Sequence, residues 1–590
     1  MIKSLYIIPV FILICFYLMI APLHFQGGDT AELINAGYHL YVPHPPGYPL
    51  FTWLQYFWLH TTSFSTVFFR ASILSVLFSI FAISFLFMPF RKNIILVFIP
   101  IVFLGMNPDF VESTVLPDVF SLHGLFVAAI LSAFLYEFKY KSFIIPFLFC
   151  VSFANHHTTV LLLPVVMFQM KEFKRAFWLG LMIGSLSCGM IYCSLLIFNH
   201  SHPYSWGNIN SVNALLNHFL RQDYGTFSLA AKGSNQGFKA LIFLLKSLVP
   251  SLALLGLILI RSRNLLFDKK ILVLFSVLIL CFIFTLIGNV VPEQVGEEVL
   301  KRFHVMPLII LVSLICYTVK NLDSKKIDKY LFLILILSTC IMQGFQLRHF
   351  IDLRNDSIIE DYSRNLFQAA RKNSPALIYV NSDTAFFGIR YVTSFLGNIQ
   401  DQKVAVMTPE MFFHPWFYDK VRSQLPKFEL INKDKIYLQK KINIEEDIIR
   451  PNLRNYNILM TGNYKEGTWF KLVYLPIGRL MQPGLGTFFD SSSIDYYKIN
   501  YAPADVPKGP QYFTKGVLFH HYSHIYLAQA HQYWVKNELS QAKLMWEKAI
   551  GLVPYALAPR LNLCQHFPNQ YDFCHDKTML ELASKTKGFY

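Results

Sequence analysis

The sequence predicts a mainly α-helical protein that crosses a membrane many times and ends in a polar, water-facing region. Hydrophobic residues make up 54% of the 590 residues and charged residues only 15%, which is more apolar side chain than one aqueous core can bury. The apolar residues lie in long runs separated by short basic clusters, and the chain becomes polar after about residue 348. This pattern excludes an ordinary soluble enzyme.

About eleven apolar runs are candidates for membrane helices. They lie near residues 4–22, 66–89, 94–106, 118–137, 142–155, 157–170, 176–198, 240–260, 270–291, 303–319 and 330–346. Several runs are shorter than the ~20 residues that a span normally needs, so the number of spans is approximate. The first run resembles a signal peptide, but its length and the lack of a small-residue cleavage site favour a retained helix.

The distribution of basic residues predicts the orientation of the chain. The net charge of +16 does not indicate a nucleic-acid partner, because the basic residues cluster between apolar runs, where they contact lipid headgroups. The positive-inside rule places these clusters in the cytoplasm. The opposite face then carries the loops 23–65, 107–117, 199–239 and 292–302 and the chain after about Arg348. We therefore expect an integral protein of a bacterial inner membrane whose C-terminal region is periplasmic.

Three domains are predicted, namely a membrane module (1–347), an external α/β domain (348–515) and a tetratricopeptide-like helical region (516–590). The α/β prediction rests on a βαβ pattern, with strands at 376–381 and 403–407 and a helix at 384–396. No glycine-rich loop follows the first of these strands, so the pattern does not favour a nucleotide site.

The helical region near the C-terminus has the residue spacing of one tetratricopeptide repeat. The matching residues are Tyr526, Ala530, Tyr533, Ala542, Trp546, Ala549 and Pro554. An unrelated helical hairpin fits this degenerate pattern equally well. Cys564 and Cys574 lie in the same polar region, where they would be either a disulfide or a pair of free thiols.

The first candidate for chemistry is the segment GGDTAE at residues 27–32, directly after the first apolar run. Its glycines end that run, and Asp29 and Glu32 would share one face of a helix beginning there. The same spacing is that of a helix cap with its reciprocal glutamate, and such caps are commoner than catalytic acids. A carboxylate just outside a span can also remove a proton from an acceptor hydroxyl. Asp29 and Glu32 are therefore candidate catalytic residues.

A proline-rich segment, VPHPPGYP at residues 42–49, follows. Each proline fixes φ and pushes the preceding residue into an extended conformation, so the segment is a stiff turn that holds His44. We predict that His44 binds substrate, the alternative being a re-entrant turn without a chemical role. Pro49 is suited to begin a short helix at the membrane surface.

A polar segment, NHHT at residues 155–158, interrupts an apolar stretch. Polar groups at membrane depth are costly and usually line a cavity, so His156 and His157 are candidates for substrate binding. A metal pair would need further ligands that the sequence does not indicate. Histidines that only satisfy helix ends are the alternative.

Candidate ligand-binding residues also occur in two later external segments. In the loop at 199–239, Trp206 and Tyr204 can stack on a sugar, Arg221 is suited to a phosphate, and Tyr224 is a further candidate close to Arg221 in sequence. Interfacial anchoring also explains the aromatic residues. Arg302 stands where an external loop enters a span, suited to a lipid phosphate, although ordinary snorkelling explains it too.

Five segments taken in order resemble a known family. They are DTAE, HPPGYPLF, VESTVLPDVFSLHGLF, NHHTTVLLLP, and PYSWGN followed by RQDYGTF. Together they resemble the GT-C membrane glycosyltransferases related to the animal endoplasmic-reticulum O-mannosyltransferase of plexin-type receptors. The resemblance covers about residues 1–320 and is weaker through the βαβ segment. HPPGYP and NHHT are its most specific parts.

The resemblance implies a GT-C-type helical bundle, a polyprenyl-phosphate sugar as donor, and a catalytic acid in the first external loop. Carried to this chain, that acid is Asp29, with Glu32 beside it. Where relatives tend to show Glu-Val-Tyr in the next acidic loop, this chain has Asp118-Val119-Phe120. Asp118 is therefore a candidate site residue with a side chain one carbon shorter.

The predicted function is the transfer of a hexose such as mannose from a polyprenyl-phosphate donor to a hydroxyl, that of serine or threonine in exported proteins. A lipid or surface-glycan acceptor, a flippase of lipid-linked sugars and an assembly scaffold are the alternatives. The predicted partners are the donor, the acceptor and membrane lipid, without nucleic acid. No cofactor or metal site is predicted beyond the donor, and a metal requirement is left open.

Overall fold

The computed structural model describes residues 6–90, 94–136, 138–170, 175–224, 236–261, 263–292, 295–321, 329–380, 382–396, 403–461, 470–475, 478–483 and 486–489, and shorter stretches between 523 and 575. The chain forms two compact units, Met1–Asp356 and Ser357–Tyr590. Each unit is described by itself, and the division into three domains stays a prediction.

The regular secondary structure of the first unit, within its described residues, is helical. Its helices are α1 (Ile7–Ile20), α2 (Thr30–His39), α3 (Pro49–Thr61), α4 (Val67–Phe87), α5 (Ile94–Pro100), α6 (Pro108–Val115), α7 (Val119–Leu135), α8 (Lys141–Ser152), α9 (Leu163–Met170), α10 (Arg175–Cys193), α11 (Val212–Phe219), α12 (Gly237–Arg261), α13 (Lys269–Gly288), α14 (Val295–Lys320), α15 (Lys329–Gln346) and α16 (Arg348–Leu353). Short 3-10 or π-helical turns extend several of them, as at Ile101–Gly105 and His157–Leu162.

Each of the predicted apolar runs coincides with a helix, so the mainly helical, polytopic fold class is confirmed. Among the described residues, 5 helices are long and apolar enough to cross a membrane, or up to 7 if each bent helix pair is one span. The five are Val67–Phe87, Arg175–Ile197, Gly237–Ile260, Lys269–Gly288 and Gly296–Lys320. These helices support an integral membrane protein. The count of about eleven spans stays a prediction.

Helix α14 forms part of the apolar core of this unit. Its middle turns, from Leu308 to Val312, are fully buried, as expected for a helix that is apolar on all sides. It packs against α6, α7, α12 and α13. The first turns of α14 carry charged residues, so this packing fixes the position of those charges.

The segment at 107–117 is helical, although we predicted an external loop there. The Asn107 side chain accepts hydrogen bonds from the backbone N–H groups of Asp109 and Phe110, and Pro108 occupies the first turn. Both features favour a helix start. The resulting helix α6 meets α7 at an angle of 117°, and Asp118 lies at the bend between them.

The proline-rich segment leads directly into α3, which begins at Pro49 as predicted. Gly47 has a φ of +92°, and a Cβ at this position would lie 2.9 Å from the Leu195 side chain and 3.0 Å from that of His218. Only glycine fits this backbone conformation and close approach. The turn that holds His44 is therefore packed against residues 195–218.

The second unit contains a six-stranded mixed sheet. Its strands are β1 (Ala376–Tyr379), β2 (Val404–Met407), β3 (Asn457–Met460), β4 (Phe470–Leu475), β5 (Gly478–Pro483) and β6 (Gly486–Phe489), in the order β2-β1-β3-β5-β4-β6. The strands β1 and β2 are parallel and joined through helix α18 (Asp383–Leu396), which is the predicted βαβ unit. The helix α17 (Ile358–Lys372) precedes β1, and the helices α19 (Pro415–Gln424), α20 (Lys433–Gln439) and α21 (Arg450–Asn452) precede β3.

Two helices, Leu539–Leu552 and Leu557–His566, follow near the C-terminus. The Trp546 ring is buried and stacks on that of His566, with ring centroids 5.6 Å apart. The cysteines Cys564 and Cys574 form a disulfide. Pro554, part of the predicted repeat, lies outside the described residues, and the tetratricopeptide assignment stays a prediction.

Candidate active site

Asp29 lies at the start of α2 and is bound by a cation from α14. The Nη1 atom of Arg302 donates a hydrogen bond of 2.6 Å to Oδ2 of Asp29. The Asp29 side chain makes no capping hydrogen bond to α2, so the interpretation of this residue as a helix cap is wrong. The Asp-x-x-Glu spacing alone suggested a cap, because a local pattern contains no information about a cation that lies 273 residues away in sequence.

Asp118 binds the same arginine. Its Oδ2 lies 3.3 Å from Nε of Arg302, and its Oδ1 accepts a hydrogen bond of 2.5 Å from the backbone N–H of Val119, the first residue of α7. One guanidinium therefore bridges two carboxylates from distant parts of the chain. Charge-assisted contacts of this kind are the stronger hydrogen bonds in proteins.

Glu32 forms a pair with His44. The side-chain Oε2 of Glu32 contacts Nδ1 of His44, and its Oε1 accepts a hydrogen bond of 2.9 Å from the His44 backbone N–H. The Glu32 side chain is only 1% exposed, so the arrangement favours a positioning role for Glu32 over that of a base. The pair fixes the proline-rich turn to α2.

Tyr48 connects His44 to His156. Its hydroxyl lies 3.3 Å from Nε2 of His44, and its ring is nearly parallel to that of His156, with an interplanar angle of 11°. The neighbouring His157 instead contacts the Tyr192 hydroxyl at 3.3 Å. The two histidines of the NHHT segment therefore belong to different networks.

The described part of the loop at 199–239 brings aromatic residues to His44. The rings of Trp206 and Tyr224 stack with centroids 5.7 Å apart, and both lie edge-on to His44 at 6.3 and 6.4 Å. The Trp206 backbone N–H donates to the Val42 carbonyl, which ties the loop to the proline-rich turn. The Arg221 guanidinium lies 5.6 Å from the Tyr224 ring centre.

Two more ion pairs join the first turns of α14 to α6. Lys301 contacts Glu112 at 3.0 Å, and Nδ1 of His304 lies 2.6 Å from a carboxylate oxygen of Asp109. Helix α14 thus binds acids from α6, the α6–α7 bend and the start of α2 through Lys301, Arg302 and His304. These contacts hold the position of Arg302.

A small, partly open cavity with mostly apolar walls lies beside Arg302. Its walls come from α7, α13, α14 and the turn after the NHHT segment. They include Phe120, His123, Thr158, Leu161, Cys281, Phe284, Thr285, Arg302, Phe303, Met306 and Pro307. A guanidinium beside mostly apolar walls has the chemistry to bind an anion whose attached carbon atoms lie against those walls.

Charges around the site set the protonation of Asp29 and His44. Burial raises the pKa of the Asp29 carboxyl, but the positive charges of Arg302 and His44 and the hydrogen bond from Arg302 hold this pKa below its usual value. Burial lowers the pKa of His44, but the charge of Glu32 and its hydrogen bond outweigh this and raise the pKa to about 9. At neutral pH the site therefore contains an ionised Asp29 and a positively charged His44.

The structure brings Asp29, His44 and the described part of the 199–239 loop near one another. The sequence reasoning did not nominate Tyr48 or His123. Tyr48 lies inside the proline-rich motif, so the same rigidity that singled out His44 applies to it. His123 gave no local signal, since it reaches Thr158 at 3.2 Å only through the packing of α7.

Comparisons with known proteins match this region of the chain. The family model described as "Protein O-mannosyl-transferase TMEM260 N-terminal domain" matches residues 29–177, a range that begins at Asp29 and includes Asp118, His156 and His157. The chain is similar to the TMEM260 protein O-mannosyl-transferases. This result confirms the resemblance that the motifs indicated.

Two full-length relatives extend the similarity. Protein O-mannosyl-transferase TMEM260 of Mus musculus is 26% identical over 467 residues, covering 69% of this chain and 62% of the mouse protein. Protein O-mannosyl-transferase tmem260 of Dictyostelium discoideum is 22% identical over 559 residues, covering 80% of this chain and 65% of that protein. The chain thus spans less than two thirds of the length of these relatives.

Among solved structures, that of ArnT from Cupriavidus metallidurans in the apo state is similar with a TM-score of 0.43. The sequence identity is 11%, and the alignment covers 70% of this chain and 90% of ArnT.

Within the part of the chain that the structure describes, no group of three or more His, Cys, Asp or Glu side chains has the arrangement of a metal site.

Proposed function

We propose that the protein is a membrane glycosyltransferase that moves a hexose such as mannose from a polyprenyl-phosphate donor to an acceptor hydroxyl. The observation that supports this best is the ion pair of Asp29, a partly exposed carboxylate directly after the first apolar helix, with Arg302, which also lines the apolar cavity. The similarity to protein O-mannosyl-transferases supports the same reaction class.

In the proposed reaction Asp29 takes the proton of the acceptor hydroxyl while the hydroxyl oxygen bonds to the anomeric carbon of the hexose. The bond from that carbon to the phosphate oxygen breaks, and polyprenyl phosphate leaves with the electron pair, with inversion at the anomeric carbon. Arg302 and Arg221 offset the negative charge of the leaving phosphate. This charge offset lowers the reaction barrier more than activation of the nucleophile does, since an alkyl hydroxyl stays protonated and weakly nucleophilic near neutral pH.

The remaining predicted residues have supporting roles in this proposal. Glu32 holds His44, and His44 with Tyr48 and His156 forms one wall of the site. Trp206 and Tyr224 offer aromatic faces that suit a sugar ring. Asp118 holds Arg302, and His157 supports the loop that carries Arg221. The acceptor is a serine or threonine of an exported protein, on the periplasmic side of a bacterial inner membrane.

The test is transfer of a radiolabelled hexose from its polyprenyl phosphate in proteoliposomes that contain the purified protein. We expect label in serine- or threonine-linked form on acceptor protein, and loss of that label with Asp29→Asn. Asp352→Asn, which changes an exposed aspartate of the same unit, is the matched control and should transfer normally. Label recovered only on lipid or glycan would overturn the acceptor, and movement of intact donor across the bilayer without transfer would favour a flippase.

A further inference from the structure

The guanidinium of Arg302 has a different contact on each of its three nitrogens. The Nε atom faces Asp118, Nη1 binds Asp29, and Nη2 lies against Gly28, where a Cβ would come within 2.7 Å of it. The two carboxylates already offset the guanidinium charge, so a further anion binds this group more strongly if one of them leaves.

The two carboxylates are held very differently. The Asp118 side chain is 6% exposed and has its second oxygen on the backbone N–H of Val119. The Asp29 side chain is 34% exposed, and among the contacts described for it Arg302 is the hydrogen-bond partner. A carboxylate that water partly reaches gives up its partner at a lower cost than a buried carboxylate, which is strongly destabilised without its partner. Asp29 is therefore the partner that leaves.

A released Asp29 remains near positive charge. Both His44 and Arg221 interact electrostatically with its carboxylate. The Glu32 carboxylate keeps His44 protonated at neutral pH, so Asp29 can turn from Arg302 toward His44 without becoming isolated. Its basicity rises when the guanidinium contact is lost, because that contact lowers its pKa.

Arg302 also lines the apolar cavity. A phosphate joined to a hydrocarbon chain can bind the Nη edge of the guanidinium, the edge that Asp29 occupies, with the chain directed along the apolar walls of this cavity. The donor phosphate and Asp29 would then compete for the same side of Arg302.

Resting on the proposed function, we propose that Asp118 is a positioning residue that anchors Arg302 while Arg302 exchanges Asp29 for the donor phosphate, so that donor binding releases the base. In the donor-free protein Asp29 is ionised but weakly basic. Donor binding releases the Asp29 carboxylate from Arg302 next to the anomeric carbon. The protein should consequently bind donor before acceptor in a fixed order.

The test measures the binding of farnesyl phosphate, a short polyprenyl phosphate, to the purified full-length protein. Direct competition predicts that Asp29→Asn binds farnesyl phosphate roughly tenfold more tightly than wild type, a difference of about 1.4 kcal/mol, although the variant is inactive in transfer. Asp118→Asn should bind farnesyl phosphate no more tightly than wild type, since it removes the carboxylate that holds Arg302 in position.

Glu298→Gln is the matched control for simple charge repulsion. Glu298 interacts electrostatically with Arg302, yet the described ion pairs of Arg302 go to Asp29 and Asp118. It should change the affinity for farnesyl phosphate less than twofold. If Asp118→Asn does not fold, the comparison of Asp29→Asn with Glu298→Gln decides alone.

An affinity of Asp29→Asn equal to wild type, or an equal gain in all three variants, would overturn the exchange. Inactivity of Asp29→Asn would in that case still support the proposed transferase. Tighter binding together with normal transfer by Asp29→Asn would overturn the role of Asp29 as base and the release mechanism with it.

Discussion

At the scale of single residues, the site is a set of acids matched to cations from distant parts of the chain. Asp29 and Asp118 share Arg302, and Glu32 binds His44. The sequence singled out the acids through their position after an apolar run and in short external loops. It could not pair the two aspartates with Arg302, because that pairing depends on how α14 packs in the folded unit, which no local pattern records.

Glu32 provides a test of the residue-scale account. In Glu32→Gln the amide still accepts the His44 backbone hydrogen bond, but the negative charge that raises the pKa of His44 is lost. We expect transfer to fall roughly tenfold at pH 7, about the effect of one charged hydrogen bond. Kinetics in proteoliposomes would measure this change.

The pH profile separates this positioning role from a catalytic one. The positive charge of His44 is lost as pH rises through its folded pKa of about 9, so wild-type transfer should decline above that pH. In Glu32→Gln the decline should begin at a lower pH. A complete loss of transfer at every pH would instead indicate that Glu32 itself is the base.

At the scale of secondary structure, apolar runs predicted the helices well because hydropathy and helix length are local properties. The helix α6 was missed although Asn107 and Pro108 provide a recognisable helix start. The polar and acidic residues of this segment are typical of an external loop as well. The strands β4 and β5, which pair antiparallel with each other, were not predicted, because the two residues between them in sequence are not the Asn-Gly or Asp-Gly pair that signals a hairpin.

The packing of α8 against α10 depends on two glycines of α10. A Cβ at Gly180 would lie 2.2 Å from the Phe143 carbonyl oxygen, and one at Gly184 would lie 2.8 Å from that of Phe147. Small residues of this kind let membrane helices approach closely. The sequence contains these glycines but gives no indication of which helix they face.

Gly180→Ala should therefore destabilise the protein by roughly 1–3 kcal/mol, the usual cost of overpacking. Gly189→Ala on the same helix is the matched control, because a Cβ at Gly189 meets nothing within 4 Å, and it should be neutral or slightly stabilising through helix propensity. Thermal unfolding in detergent measures both variants. Equal unfolding temperatures would contradict the close α8–α10 contact.

At the scale of the whole molecule, the alternation of basic clusters predicts which loops face the cytoplasm. The helix positions agree with the apolar runs, whereas the sidedness and the exact number of spans stay predictions. The position of Asp29 outside the membrane, on which the proposed chemistry depends, follows from this topology.

Cysteine labelling tests the topology directly. In a background with the free cysteines replaced by serine, Ser201→Cys should react with a membrane-impermeant maleimide on intact cells. Lys139→Cys, exposed in the loop between α7 and α8, should react only after permeabilisation. The reverse pattern would place the acids and Arg302 at the cytoplasmic face and invalidate a periplasmic acceptor.

The most direct test of the central claim is the single-turnover rate of hexose transfer by Asp29→Asn at saturating donor. Saturation removes any effect of the variant on donor binding, so the rate reports proton removal and attack alone. If Asp29 is the base, the rate should fall by roughly 10²–10⁴-fold, while Asp352→Asn keeps the wild-type rate. A folded Asp29→Asn protein that transfers hexose within a few-fold of wild type would contradict the account.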